Sequence, residues 1–216
     1  MQWSTRVWQE TLPVYRRILA HPFLLELQNG TLSRDRFLFY IHQDAIYLNA
    51  FGKALSVIAA KLSRPEHSEA FLGFAKDCIA VERALHQSYT GDASHAGIAA
   101  SPSCLLYTSY VLRCAYESST AVAAAAVLPC FWIYREVGHA LTQTKTPDNP
   151  YQSWLDTYGG ASFDLAVKTA ISICDTLAQN TSNEERAAMS DAFILCAKME
   201  WLFWDSAYRQ EAWMIA

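Results

Sequence analysis

Apolar residues recur three and four positions apart along almost the whole chain, the spacing of helices that each bury one face. The clearest stretch runs from Ser33 to about Leu62, where Phe37, Tyr40 and Ile41, Tyr47 and Leu48, Phe51, Leu55, Ile58 and Leu62 form one stripe. Ser33 stands ahead of it as an N-cap. Upstream, a helix is predicted from Ser4 to Ala20, broken at His21-Pro22-Phe23-Leu24, with a turn at Asn29-Gly30. Downstream, a helix follows Pro65, and Gly91 to Ser101 reads as a loop. Further helices are predicted from Pro102 to Tyr116, Ser119 to Leu141, Phe163 to Ala178 and Asn183 to Gln210. Between them, Thr144 to Pro150 reads as a turn and Tyr151 to Tyr158 as a short helix stopped by Gly159-Gly160. No segment alternates as a strand would. Seven or so helices, with no repeat and no linker, predict an all-α bundle in one domain spanning residues 1–216. A ligand site in such a bundle lies between helices.

Certain polar residues fall on the apolar stripes. Asp44 shares a face with Phe37, Ile41, Leu48 and Phe51. Glu200 lies on the stripe Met189, Phe193, Cys196, Phe203 and Ala207. A carboxylate turned into a core must be paired, hydrogen-bonded or protonated, because burying it alone costs several kcal/mol. Two of them from distant helices predict one polar cavity. The helix from Ser119 adds Cys130 to the stripe Val122, Ala126, Ile133, Val137 and Leu141, with Pro129 beside it to bend the helix and open room. Tyr134 lies one turn after Cys130 and Tyr47 one turn after Asp44, so each pair shares a face. Simpler readings exist for each residue. Cys130 also fits a small core residue, Asp44 a structural ion pair or helix cap, and Glu200 a partner of Arg135 or Lys198. Tyr134 and Tyr158 also fit ordinary core aromatics.

Composition narrows the class. Of 216 residues, 52% are hydrophobic and 18% charged, enough to bury a large core, which argues against disorder. The net charge of −4 and the absence of basic runs argue against a nucleic-acid partner. The N-terminus lacks a signal-peptide core, and the small-apolar run Ala121 to Leu128 is too short for a membrane span. A cytoplasmic protein with no membrane partner is therefore expected. None of the six cysteines forms a C-x-x-C pair, so zinc and thioredoxin-type chemistry have little support. Seven Trp, 11 Tyr and 10 Phe supply surface on which a flat heteroaromatic ligand would stack.

Four local patterns occur in one order along the chain. They are His21-Pro22-Phe23 with Asn29-Gly30-Thr31-Leu32, Phe37, Tyr40 and Gln43-Asp44-x-x-Tyr47-Leu48; then Leu128-Pro129-Cys130-Phe131-Trp132-Ile133-Tyr134-x-x-x-Gly138; then Pro150-Tyr151, Trp154 and Tyr158; then Glu200-x-x-Phe203-Trp204-Asp205. Together they resemble the TenA/thiaminase II family over about 180 residues. The resemblance implies a heme-oxygenase-like helical bundle, usually a homotetramer, that hydrolyses 4-amino-5-aminomethyl-2-methylpyrimidine to its hydroxymethyl form in thiamin salvage, and in many members cleaves thiamin. It implies Cys130 as nucleophile and Glu200 as acid/base. It implies Asp44, Tyr47, Tyr107, Tyr134, Tyr158 and Phe203 as substrate contacts, with no metal and no cofactor. The chemistry suits these residue types, since a thiolate adds to the pyrimidine ring and leaves again readily, while a carboxyl in an apolar stripe stays protonated and can donate to a ring nitrogen. Other classes share the fold. A haem or di-iron oxidase would use His21 or the pair Glu82 and His86, and a cofactorless oxidase would not need Cys130. A regulatory binding protein is a third reading, one the acidic charge disfavours as a DNA contact.

Overall fold

Serine side chains start four of the helices by accepting the free amide hydrogens of the first turn. Ser33, Ser101, Ser119 and Ser182 each accept from the backbone three residues on, at 3.4, 3.3, 3.3 and 3.1 Å. A computed structural model describes residues 1–89, 98–143 and 146–215, with the helical backbone alone for 81–88. The described residues contain nine helices and no strand. These are α1 (Trp3–Leu19), α2 (Pro22–Asn29), α3 (Arg34–Lys61), α4 (Pro65–Tyr89), α5 (Pro102–Glu117), α6 (Thr120–Thr142), α7 (Gln152–Tyr158), α8 (Ala161–Gln179) and α9 (Asn183–Arg209).

The helix α2 corrects the sequence reading, which took His21 to Leu24 as a break. The imidazole Nδ1 of His21 accepts from the Phe23 amide at 3.1 Å, Pro22 occupies the first turn, and Gly30 closes the helix at φ 71°. Eight residues are too few to show a periodic stripe, so only the caps betray this helix. Of the two predicted loops, residues 90–97 and 144–145 lie outside the described residues. The remainder of the second is ordered by Asn149, whose side-chain amide donates to the Leu27 and Gln28 carbonyls at 2.9 and 3.0 Å, in the last turn of α2.

Helix α9 runs through the middle of the bundle against α1, α3, α5 and α6, while α3 lies along α4 and α5. Helix α6 continues through Pro129 without interruption. Among the described residues it is the one helix long and apolar enough to cross a membrane, yet 83% of its most apolar window is buried among its neighbours, as a core helix would be. Buried polar groups tie distant elements together. Asp175 of α8 accepts from the Ser4 amide and hydroxyl at 2.8 and 2.7 Å, anchoring the start of α1. Glu211, just past α9, accepts from the Ser103 amide and hydroxyl at 2.8 and 3.1 Å, placing a carboxylate at the N-terminus of α5.

His21 is buried at the α1–α2 junction, edge-on to Trp201 and Tyr208, with Nε2 facing Asp205 at 3.5 Å. Burial lowers its pKa below the ordinary histidine value of 6.5, and Asp205 only partly opposes this. The folded state thus prefers the neutral ring, which is also the form whose Nδ1 can cap α2. Protonation favours the unfolded chain, so this contribution to stability is complete above about pH 6.5 and is lost as pH falls from that value toward the lower folded one. Urea unfolding between pH 7 and 5 should show that decline. His21→Asn, which keeps a capping acceptor but does not titrate, should flatten it; His21→Ala should cost about 1 kcal/mol or more at pH 7. An unchanged pH slope in His21→Asn would show that other groups set it.

Candidate active site

Asp44 and Glu200 do face the interior, with 4% and 1% of their surfaces exposed. A cavity of about 470 Å³ opens between α3, α4, α6 and the α7–α8 segment. Asp44 from α3, Cys78 from α4, Cys130 and Tyr134 from α6, and Tyr158 and Phe163 from the α7–α8 segment line it. Tyr47, Tyr107, Glu200 and Phe203 are buried behind that lining, in a layer shared by α3, α5 and α9. The eight residues singled out in the sequence therefore divide into four on the cavity surface and four beneath it.

The second layer is organised by Glu200. Its carboxyl oxygen Oε1 accepts from the Tyr107 hydroxyl at 2.7 Å. Arg135, a candidate partner from sequence, instead pairs with Glu136 and Asp164 at 2.6 and 3.7 Å. With no cation among the described residues to stabilise its charged form, burial raises Glu200 to a pKa of about 8; the Tyr107 hydrogen bond lowers it and Asp44 raises it further. Glu200 is thus mainly protonated at neutral pH. The Tyr47 ring packs against Tyr107 and Phe203, with centroids 4.7 and 5.7 Å apart, and closes this layer.

Cys130 is the one cysteine among the six that is not fully buried, because its surface opens on the cavity. Desolvation pushes its thiol pKa well above the usual value, and the nearby charges of Glu200, Cys78 and Asp44 push the same way. The Tyr47 hydroxyl is near enough to oppose this by hydrogen bonding, yet it completes no bond of ordinary geometry with any described residue. The indole Nε1 of Trp204 is in the same condition. Both are buried donors with capacity to spare beside the cavity.

The sequence reading gave no role to several residues that fix this arrangement. Tyr40 is a hub: its hydroxyl lies 3.3 Å from that of Tyr134 and accepts from Trp154 Nε1 at 3.3 Å. Gln43 clamps the start of α5, donating to the Ala99 carbonyl at 3.2 Å and accepting from the Ser101 amide at 2.8 Å. That clamp sets the height of Tyr107, one and a half turns along α5. Cys78 also lines the cavity, and nothing in its spacing along the helix after Pro65 distinguishes a cavity wall from a core. The signal for Gln43 was present, since a glutamine inside a buried stretch must find partners for both ends of its amide.

His21, considered as a haem ligand, has both ring nitrogens engaged and does not line the cavity. The side chains of Glu82 and His86 lie outside the described residues. Among the described residues, no three His, Cys, Asp or Glu side chains converge as a metal-ligand set.

The pattern of the TENA/THI-4/PQQC family matches residues 8–210. The chain is 35% identical over 199 residues to the aminopyrimidine aminohydrolase of Bacillus subtilis, covering 90% of this chain and 84% of that one. It is 33% identical over 210 residues to the thiamine biosynthesis multifunctional protein ThiED of Corynebacterium efficiens, spanning 96% of its own length but only 28% of that longer protein. Its structure superposes on a TenA homologue from P. horikoshii with a TM-score of 0.86 at 25% identity, covering 97% and 99% of the two chains. The fold is the all-α, heme-oxygenase-like bundle of such relatives, and the chain belongs to the TENA/THI-4/PQQC family.

Proposed function

We propose that this chain is an aminopyrimidine aminohydrolase of thiamin salvage, converting 4-amino-5-aminomethyl-2-methylpyrimidine and water to the hydroxymethyl compound and ammonia. Thiamin, with its thiazole as leaving group, is the second substrate of the reading. The observation that carries it is a buried carboxyl of pKa about 8, Glu200, beside the Cys130 thiol at a cavity that Asp44 also lines. Identity to a protein named for this reaction supports it. So does the sign of the cavity: its described lining includes Asp44, Asp77 and Asp156 and no lysine or arginine, which suits an amine better than an anion.

In this reading Asp44 holds the 4-amino group and an adjacent ring nitrogen of the pyrimidine. Cys130 adds to the ring. A free thiolate is unfavourable in this apolar cavity, and Glu200 removes the need for one. Protonated Glu200, one layer behind the wall at Cys130, gives its proton to a ring nitrogen of the substrate seated against that wall as the S–C bond forms, and the carboxylate so made takes the thiol proton. The S–H bond breaks, S–C and N–H bonds form, and Glu200 ends as it began. A carboxyl of pKa about 8 is matched to both halves of that exchange near neutral pH. The substrate's amine, protonated at neutral pH, then leaves as ammonia when the ring's electrons break its C–N bond. Water adds at the exocyclic carbon and gives up a proton to solvent. The S–C bond breaks as the ring N–H proton returns to sulfur by way of Glu200, which restores the aromatic ring. Only side chains take part. Tyr134 and Tyr158 pack against the bound ring, while Tyr47, Tyr107 and Phe203 hold Glu200 and Cys130 in position.

The reading includes a cytoplasmic location, in keeping with six free thiols, and a homotetramer. Exposed Leu72 and Ile79 on α4 and Leu105 and Leu106 on α5 are the apolar surface that such an assembly would cover. Sedimentation at micromolar concentration should give four times the 24.3 kDa chain mass; a monomer would refute the assembly without touching the chemistry.

Two substitutions test the chemistry through ammonia release. Cys130→Ser should leave the helical circular dichroism intact and lower turnover by about four orders of magnitude, the loss of a covalent route. Turnover like that of the wild type would remove Cys130 from the mechanism. Glu200→Gln should lower kcat far more than it raises KM, by roughly a hundredfold or more for a lost proton donor. The wild-type rate should fall as pH rises through about 8, where Glu200 ionises, and the variant should lose that limb. If KM alone changes, Glu200 belongs to binding.

A further inference from the structure

The segment carrying Tyr158 has no group in the chemistry above, yet it makes one whole wall of the cavity. Its seat on α6 is unusually close. A Cβ built on Gly138 would stand 2.6 Å from both the carbonyl carbon and oxygen of Tyr158 and 2.9 Å from the Gly159 nitrogen. These are backbone atoms, so no side-chain rotation can relieve the overlap. The contact is tight from the other side too, since a Cβ on Gly159 would meet Thr142 Cγ2 and the Leu155 carbonyl oxygen at 3.2 Å. Thr142 completes the seam by donating its hydroxyl to the Gly138 carbonyl at 2.8 Å. Gly138 does not have a positive φ, so its lack of a side chain serves the close approach and not a turn.

What rides on that seam is the Tyr158 ring. It packs against Tyr134, Trp154 and Phe163 with centroids 4.8, 4.7 and 5.4 Å away, and it faces the cavity. Two turns before Gly138 on the same helix stands Cys130. One rigid helix therefore carries the thiol at one point and sets the depth of the opposing ring at another.

We propose that Gly138 is a positioning residue for the substrate: by letting the Tyr158–Gly159 backbone sit directly on α6, it fixes how far the Tyr158 ring reaches into the cavity, and hence how closely the pyrimidine is held. This rests on the aminohydrolase reading for its substrate. A methyl at 138 moves the wall outward and leaves Cys130, Glu200 and Asp44 where they are, so it weakens binding and spares chemistry.

Steady-state ammonia release by wild type, Gly138→Ala, Tyr158→Ala and the double variant tests this. Gly138→Ala should raise KM about tenfold, as overpacking of a tight contact does, with kcat changed by less than about threefold. In the Tyr158→Ala background the same methyl should raise KM by less than about twofold, because the ring it displaces is gone. A general loosening of the bundle would instead multiply the two effects. Gly159→Ala probes the seam more gently and should raise KM by a smaller factor; it decides the matter if Gly138→Ala does not fold. Unchanged KM in a folded seam variant, or effects of Gly138→Ala and Tyr158→Ala that multiply, overturn the proposal. A wild type that neither releases ammonia nor binds the hydroxymethylpyrimidine in a calorimetric titration overturns the aminohydrolase reading instead. In that case the proposal about Gly138 falls with it.

Discussion

Taking a carboxyl out of water costs several kcal/mol if it stays charged, and little if it keeps its proton. Glu200 sits under that constraint more severely than any other acid described in the chain, with 1% of its surface exposed and no cation as partner among the described residues. Much of the interior is arranged as a consequence. Tyr107 satisfies one carboxyl oxygen, and Tyr47 and Phe203 wall off the neighbourhood with rings. Tyr107 can donate because α5 is clamped at its start by Gln43 from one side and Glu211 from the other. Loosening either clamp would let water or the tyrosine move, and the pKa of Glu200 would drift toward the ordinary carboxylic value. The catalytic proposal therefore depends on a helix-capping arrangement well outside the cavity.

The same low-dielectric surroundings act on Cys130, and in the unhelpful direction for a nucleophile. Many reactive cysteines sit beside a cation or a helix N-terminus that holds the thiolate. Here the charge-bearing neighbours are acids and another thiol, all of which raise the thiol pKa, and only the Tyr47 hydroxyl opposes them. The thiol and carboxyl are best regarded as one exchanging pair. Each disfavours the other's charge, and passing a proton between them and the substrate avoids two anions in one apolar cavity. The aromatic lining lowers the polarity around that thiol and brings in single, placed hydroxyls, such as the chain from Trp154 through Tyr40 to Tyr134.

The long helices were legible in the sequence because each has a run of at least sixteen residues over which a three-to-four spacing can show itself, and four of them also carry a serine cap. Asp44 and Glu200 were legible for the same reason, since a charged residue on a long apolar stripe stands out. The helix α2 was not, being two turns long with its signal confined to His21, Pro22 and Gly30. The division of the eight residues between cavity surface and the layer beneath was not legible either. Periodicity says which side of a helix faces inward, but whether inward means cavity or core depends on how neighbouring helices are spaced. That is why Tyr47, Tyr107 and Phe203, expected as substrate contacts, lie behind the lining, and why Cys78, given no role from sequence, lies on it. The closeness of Gly138 to Tyr158 is a contact between helices and has no trace in local pattern beyond the glycine itself.

Helix middles supply most of the candidate machinery: Asp44 on α3, Cys130 and Tyr134 on α6, Glu200 on α9. A group on a helix cannot move without its neighbours on the same stripe, so the relative positions of acid and thiol are as rigid as the α6–α9 packing. The α7–α8 segment differs. It reaches the cavity from one side, and it is held on α6 by the close backbone contact at Gly138, by the packing of Trp154 and Tyr158 on Tyr134, and by the ion pair of Asp164 with Arg135. The division of labour follows from the mechanics. In the proposed chemistry, atoms that exchange protons need fixed distances and sit on the long helices, whereas the wall facing them is set by how closely the Tyr158–Gly159 backbone rests on α6.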